Sequence, residues 1–321
     1  MMLEAYYSVE KTFYVIITSI GVPVNLLAIT ILSQGKCGLS TCTNRYLVAM
    51  GTADLMVIII EVILYRISVH YFPVTVLNIT PMESIRVVLS RIALDCSVWF
   101  TVAFTFDRFV AICCHKLKAT YCTGKTAATV LTATGVLFCM KNVPFYFALE
   151  PRKIINNVPW FLEIKISYYT DPGWRGFDWF DTVLTPLLPF VAILILNALT
   201  VRHILVASRV RKGLKGRNKG ESRTDPEMES RRRSVVLLFT LSGSFILLWL
   251  TTVTQFLYYQ ITGTGGEWND SEYIFYKVGF LLSTLSCCTN TFIYVATQSK
   301  FREQVKNHIT SVSVFIKKTS W

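Results

Sequence analysis

The chain has 321 residues, 52% of them hydrophobic and only 16% charged, with a mean hydropathy of +0.46 and a formal net charge of +12. A soluble domain carries about a quarter charged residues, so this composition excludes an ordinary water-soluble enzyme or binding domain and asks for lipid as the solvent. The basic excess sits between apolar runs, where it sets membrane topology, and nucleic-acid binding is set aside.

Residues 1–11, MMLEAYYSVEK, contain acids and lack a basic start followed by a cleavable apolar core. They are expected to form an external N-terminus, with the first apolar run as an uncleaved signal anchor. A helix that crosses the hydrocarbon core needs about 20 mostly apolar residues. Seven stretches qualify, over approximately 12–33, 45–69, 83–114, 126–149, 181–207, 233–260 and 272–297. The first, fifth and sixth are the cleanest; "LPFVAILILNALTV" and "VVLLFTLSGSFILLWL" leave little choice. The second, third and seventh hold internal charges, and their assignment rests partly on pattern.

The connecting segments differ by side. Segments 34–44 and 115–125 are basic and hold no acid, whereas 70–82 and 261–272 carry no Lys or Arg. Segment 202–233 holds eleven Lys or Arg, and Lys300, Arg302, Lys306, Lys317 and Lys318 follow the last span. The positive-inside rule then places the N-terminus outside and the C-terminus in the cytosol. The loop 208–232, with Gly213, Gly216, Gly220 and Pro226 among its charges, is expected to be flexible and solvated. Segment 150–180 is the longest external one and is rich in aromatic residues. The sequons Asn78-Ile-Thr80 and Asn269-Asp-Ser271 both fall outside, as glycosylation requires. An epitope inserted near Gly216 should therefore stay unstained on intact cells and stain after permeabilisation; staining of intact cells would reverse the orientation.

None of the nine cysteines falls in an external segment, so no disulfide is expected there, and no paired CxxC units suggest zinc. His70, His115, His203 and His308 are dispersed, and no HExxH, GxSxG or phosphate-binding glycine loop is present. The chain is not expected to be an enzyme. No internal repeat is visible, which disfavours transporters built from duplicated halves.

Asp107-Arg108-Phe109 stands at the inner end of the third span. It resembles the Asp-Arg-Tyr motif of rhodopsin-like (class A) G-protein-coupled receptors. Asn25 in "GVPVN", Asp54 in "GTADL", Pro189 in "LLPF", Trp249, and Asn290 to Tyr294 in "NTFIY" are similar to that family's marks on spans 1, 2, 5, 6 and 7. Phe301-Arg302 resembles the start of its amphipathic helix. Six marks in order, over almost the whole chain, are specific. "LLPFVAILILN" and "NTFIY" are closest to an orphan group related to receptors for aromatic amino acids and peptides.

The resemblance implies an all-α, seven-helix membrane receptor over 12–297, followed by a short cytosolic amphipathic helix and tail at 298–321. At the plasma membrane it would bind an extracellular small molecule or peptide and activate a heterotrimeric G protein. Asp107 would neutralise Arg108 at the hydrated cytosolic edge until Arg108 turns toward the G protein, with Asn197, Asn290 and Tyr294 in the same switch. Val98, Pro189 and Phe245 would couple pocket to switch. Asp54, Ser97, Ser286 and Asn290, with Asn25 nearby, would surround a sodium ion, a hard cation suited to oxygen ligands; the alternative is a protonated or water-bonded Asp54, and no other cofactor is implied.

Candidate ligand contacts on the outer half are Glu61, Arg91, Asp95, Trp249, Gln255, Tyr258 and Lys277. The first three are intramembrane charges, which mark a ligand site or pair with one another. Ser90, where amine receptors keep an aspartate, and Thr284, where visual pigments keep the retinal lysine, argue against those ligands. The departures are Glu83 in place of the cysteine atop the third span, Thr251 and Thr291 in place of two prolines, Asn197 in place of a tyrosine, and Arg231 where an acid often locks the motif arginine. A transporter or channel, or a receptor-like protein with weakened signalling, are the rival readings.

Overall fold

A computed structural model describes residues 2–72, 74–215, 226–262 and 269–319, with side chains outside 1–3, 5, 73, 210–231, 259–268 and 312–321. Seven helices are long and apolar enough to cross a membrane. They are α1 (Met2–Ser33), α2 (Thr41–Tyr71), α3 (Thr80–Cys113), α4 (Gly124–Asn142), α5 (Pro172–Arg209), α6 (Pro226–Thr262) and α7 (Asp270–Thr297), followed by α8 (Ser299–Thr319). Between α4 and α5 lies a hairpin of β1 (Leu149–Ile155) and β2 (Val158–Ile164).

Local chemistry sets the ends. Ser40 caps α2 by accepting from the Thr43 amide at 3.2 Å, and Thr123 caps α4 through the Thr126 amide at 3.2 Å. Asn269 and Glu272 form a capping box on α7. Pro81 sits in the first turn of α3, where its missing N–H costs nothing. In the hairpin, Asn156 (φ 51°) and Asn157 (φ 61°) make the tight turn, a place that suits the left-handed tolerance of asparagine.

Two helices depart from α geometry. Ile58–Ile67 of α2 is wound as a π-helix, and so is Val183–Leu187 of α5, where Thr185 is non-helical just before Pro186. Such bulges in α-helices often lie at functional sites.

Lipid tails are as apolar as Leu, so helices in a bilayer associate by close packing and by polar contacts across helices. Gly21 lets α1 approach its neighbours: a Cβ there would stand 2.5 Å from Cys288 Sγ and 2.7 Å from Ile58 Cδ1. Asn25 Nδ2 donates to the Cys287 carbonyl at 2.8 Å, and Thr291 Oγ1 to the Val24 carbonyl at 3.2 Å, so α1 is stitched to α7. One buried cluster, with Tyr46, Met50, Phe104, Leu237 and Tyr294, lies toward the end of the bundle that carries Arg108. A second, with Val98, Phe190, Ile193, Phe245 and Trp249, joins α3, α5 and α6.

The seven expected spans are present, with most ends moved outward, while α4 stops at Asn142, short of the expected 149. Residues 2–11 continue α1 instead of standing apart from it, and Glu10 is 3% exposed, held by Tyr14 and Lys277. The apolar run had begun at residue 12 because Glu4, Glu10 and Lys11 break the hydropathy. Helix also runs into the expected loop 208–232, as far as Lys215 and again from Pro226; residues 216–225 and the Arg231 side chain lie outside the described residues. The all-α expectation needs one amendment, the β-hairpin in segment 150–180.

Candidate functional site

At the end of α3, Asp107 and Arg108 pair side by side, with Arg108 Nε donating to Asp107 Oδ2 at 3.0 Å. The expectation of a hydrated edge is corrected: Asp107 is 0% exposed and Arg108 7%. The Cys42 thiol of α2 donates to Asp107 Oδ1 at 3.0 Å, and Cys122 donates to the Asp107 carbonyl at 3.6 Å. Burial, and then Asp107, push the Cys122 thiol up to about 11, so it stays protonated and able to donate. These two cysteines were not singled out in the sequence, because nothing in their spacing marks them as neighbours of an aspartate.

Arg108 opens onto a cavity of about 740 Å³ bounded by α3, the 34–40 turn, the 115–122 segment and the starts of α6 and α8. Tyr294 has its ring 5.8 Å from Phe301, and its hydroxyl is buried without a partner among the described residues. Asn197 faces α6, not Arg108: its Nδ2 donates to Ser242 Oγ at 2.8 Å while its Oδ1 is buried and unpaired.

Midway along the bundle, Asp54 is 1% exposed and accepts from Ser97 Oγ at 2.5 Å and from Asn290 Nδ2 at 2.8 Å. No ion pair reaches it among the described residues. A cavity of about 10 Å³, room for roughly one water-sized guest, adjoins it; Ser97, Thr101, Ser244, Ser286, Thr289 and Asn290 give it a polar side, and Leu241, Phe245 and Trp249 close the other. Ser286 belongs to this wall, and its Oγ accepts from Trp249 Nε1 at 3.2 Å. Asn25 does not: its amide is spent on the Gly21 and Cys287 carbonyls. A buried carboxyl group beside a space with hydroxyl and amide oxygens along one side fits a sodium ion in chemistry and size.

Trp249 borders the same mid-bundle cavity, with its ring stacked on Phe245 at 5.4 Å. Val98 and Phe245 share the cluster of α3, α5 and α6, and Pro189 is buried on α5 beside Phe190 of that cluster.

The outer-half charges do not pair with one another, which corrects one of the two expectations for them. Glu61 accepts from Arg66 Nε at 3.0 Å and from Ser90 Oγ at 2.7 Å, with Arg86 at 4.0 Å. Asp95 accepts from Lys141 at 2.7 Å and from Asn142 at 2.7 Å. Arg91 bonds Asp181 at 2.8 Å, and Asp181 also pairs with Lys141. Lys277 reaches Glu10 at 3.4 Å, while Tyr258, 44% exposed, donates to Glu272 at 3.4 Å. Gln255 is buried beside Gly279. The seven expected contacts thus fall into separate groups, and the partners Arg66, Arg86, Lys141 and Asp181 had gone unnoticed.

The hairpin is held to α3 without a disulfide. Thr80 Oγ1 donates to the Phe161 carbonyl at 2.8 Å, and Ile79 bridges Trp160 through the backbone. All nine cysteines are free. The first sequon is folded into this joint: Asn78 is 9% exposed, accepts from the Thr75 amide at 2.8 Å and turns Nδ2 to Glu83 at 3.4 Å. Asn269 is exposed and, among the described residues, its side chain uses only its oxygen, as the α7 cap.

The family model described as "7 transmembrane receptor (rhodopsin family)" matches residues 24–294. Among curated proteins, the chain is 23% identical to the mouse "Probable G-protein coupled receptor 142" over 94% of this chain and 73% of that one. It is 21% identical to the mouse "Vasopressin V1b receptor", covering 68% of this chain and 56% of the receptor. It is 23% identical to the Drosophila melanogaster "FMRFamide receptor", covering 89% and 51%. The last two are thus matched over about half their own length. A family match over more than half of the chain, on seven helices with Asp54, Arg108 and Asn290 each in its expected helix, leaves one assignment: the chain belongs to the rhodopsin family of seven-transmembrane receptors.

Proposed function

We propose that this receptor binds an extracellular small molecule or peptide and passes the signal to a heterotrimeric G protein at the Arg108 end of the bundle. The observation that carries the reading is the buried Asp107–Arg108 pair opening onto the 740 Å³ cavity. A neutralised arginine there is stored for a partner that can supply acceptors once α5 and α6 move apart. The basic connecting segments support placing this end in the cytosol of the plasma membrane. Relatives named as receptors for vasopressin and FMRFamide support a peptide ligand, and the match to "Probable G-protein coupled receptor 142" supports the orphan grouping. Asn197, turned to Ser242 instead of Arg108, supports a second reading in which coupling is weakened.

The test is a ligand panel, peptides included, on cells that express the receptor with a promiscuous Gα. The reading expects ligand-evoked nucleotide exchange without membrane current. A ligand-evoked current without exchange would favour a channel or transporter.

Asp54, Ser97, Ser286 and Asn290 would hold sodium, which supplies the positive charge that the buried carboxylate lacks and favours the inactive packing. Sodium at ten times its Kd should stabilise the purified receptor by about 1.4 kcal/mol over an organic cation. Asp54→Asn should remove that difference; an unchanged sodium response in the variant would count against the site.

Of the two sequons, Asn269 is the one whose amide nitrogen is open to a glycan. Asn269→Gln should abolish the glycosidase-sensitive mobility shift, and Asn78→Gln should leave it. Loss of the shift in Asn78→Gln alone would contradict the assignment.

A further inference from the structure

The cavity beside Arg108 has a basic wall. Among the described residues Arg108, Lys118, Arg233 and Lys300 line it together with His115, and no Asp or Glu does. Asp107 neutralises Arg108 from behind. Lys118 and Lys300 are exposed and have no ion pair among the described residues. Lys300 is placed there by the fold: Gly38 is left-handed (φ 68°), and a Cβ on it would stand 3.0 Å from Lys300 Nζ and 2.8 Å from Cδ. The Lys300 side chain thus lies across the bare backbone of this turn. Ser40, Thr43, Ser234 and Ser299 add hydroxyls along the same wall.

Cations of one sign within a concave, low-dielectric wall focus potential and concentrate anions. A volume of about 740 Å³ lies in the range of small-molecule sites. Several cations spread around one space suit an anion with charges at more than one corner better than a single carboxylate.

We propose that this cavity binds a multiply phosphorylated anion, of the kind carried by a phosphoinositide headgroup or a soluble inositol phosphate, with Lys118 and Lys300 as its main contacts. Arg108 forms part of the floor, so an occupied cavity and an arginine committed to a G protein exclude each other. That consequence rests on the function proposed above; the binding itself does not.

The experiment uses the full-length receptor in phosphatidylcholine nanodiscs without any G protein. In one arm the discs contain fluorescent phosphatidylinositol 4,5-bisphosphate and binding is read by energy transfer from a labelled receptor. In the other, soluble inositol 1,4,5-trisphosphate is titrated against discs without that lipid. Lys118→Ala with Lys300→Ala should weaken binding at least about tenfold, since each removes a charge-assisted contact. Lys116→Ala with Lys125→Ala removes the same charge outside the cavity and should stay within about twofold. Lys118→Arg with Lys300→Arg should keep most of the binding. Tight binding in the lipid arm with weak binding of the soluble headgroup identifies the membrane as the source; comparable binding in both identifies a free anion. Absence of binding in both arms, or equal losses in the two alanine pairs, overturns the proposal. Because no G protein is present, that failure leaves coupling untouched, and a coupling failure leaves a positive binding result standing.

Discussion

Arg108→Ala should abolish stimulated nucleotide exchange. The guanidinium at the inner end of α3 is 7% exposed and lies against a fully buried carboxylate. Charge-assisted hydrogen bonds to a partner contribute about 1.5–3 kcal/mol each, so losing two of them removes more than tenfold in coupling. The substitution also leaves Asp107 buried without its cation, with the Cys42 thiol at 3.0 Å as a neutral donor. Some loss of stability is therefore expected, and exchange must be compared at matched surface amounts. Asp107→Asn supplies the opposite case. It keeps the shape, frees Arg108, and should raise basal exchange severalfold. The double variant removes both charges, so it should recover the stability lost by Arg108→Ala while remaining silent. An Arg108→Ala receptor that signals normally would make the pair an interfacial ion pair with no part in the switch.

Lys141→Ala should be the most destabilising change in the outer half. Its side chain is 9% exposed, and its ammonium bridges Asp95 to Asp181, whose side chains are 5% and 14% exposed. Those carboxylates sit on α3 and α5, so one α4 lysine ties three helices together. Removing it strands Asp95 with only the Asn142 amide, while Asp181 keeps Arg91. Breaking a buried pair from one side costs about 3–5 kcal/mol, because the remaining charge is left uncompensated. The thermal midpoint of the purified receptor should fall accordingly. Lys141→Met combined with Asp95→Asn removes both charges and should restore most of the loss. If the single and double variants melt together near wild type, the pair does not hold the helices.

The seven spans and the Asp54, Arg108 and Asn290 positions were legible in the sequence because each rests on local features: an apolar run of crossing length, or a polar residue in its midst. The charge partners were not. Arg91 and Asp181 are 90 residues apart and Lys141 and Asp95 46, so only packing brings them together. Glu61 and Arg66 are separated by five, a spacing that does not face itself on an α-helix. The π-winding of Ile58–Ile67 brings them together, and no residue in "IIIEVILYRI" announces it. Asp107 presented the same difficulty: its link to Cys42 spans 65 residues. The hairpin was hidden because segment 150–180 reads as aromatic loop, with "NN" at 156–157 as its one turn signal.

The central claim is that this bundle passes a signal to a G protein through the Asp107–Arg108 pair. The most direct measurement is GDP release from a purified heterotrimeric G protein by the receptor in nanodiscs, for wild type, Asp107→Asn and Arg108→Ala at equal receptor concentration, across several Gα types. The account predicts, for at least one Gα, release faster than with empty discs, faster still with Asp107→Asn, and indistinguishable from empty discs with Arg108→Ala. Equal rates for all three variants and for empty discs, on every Gα, would contradict it.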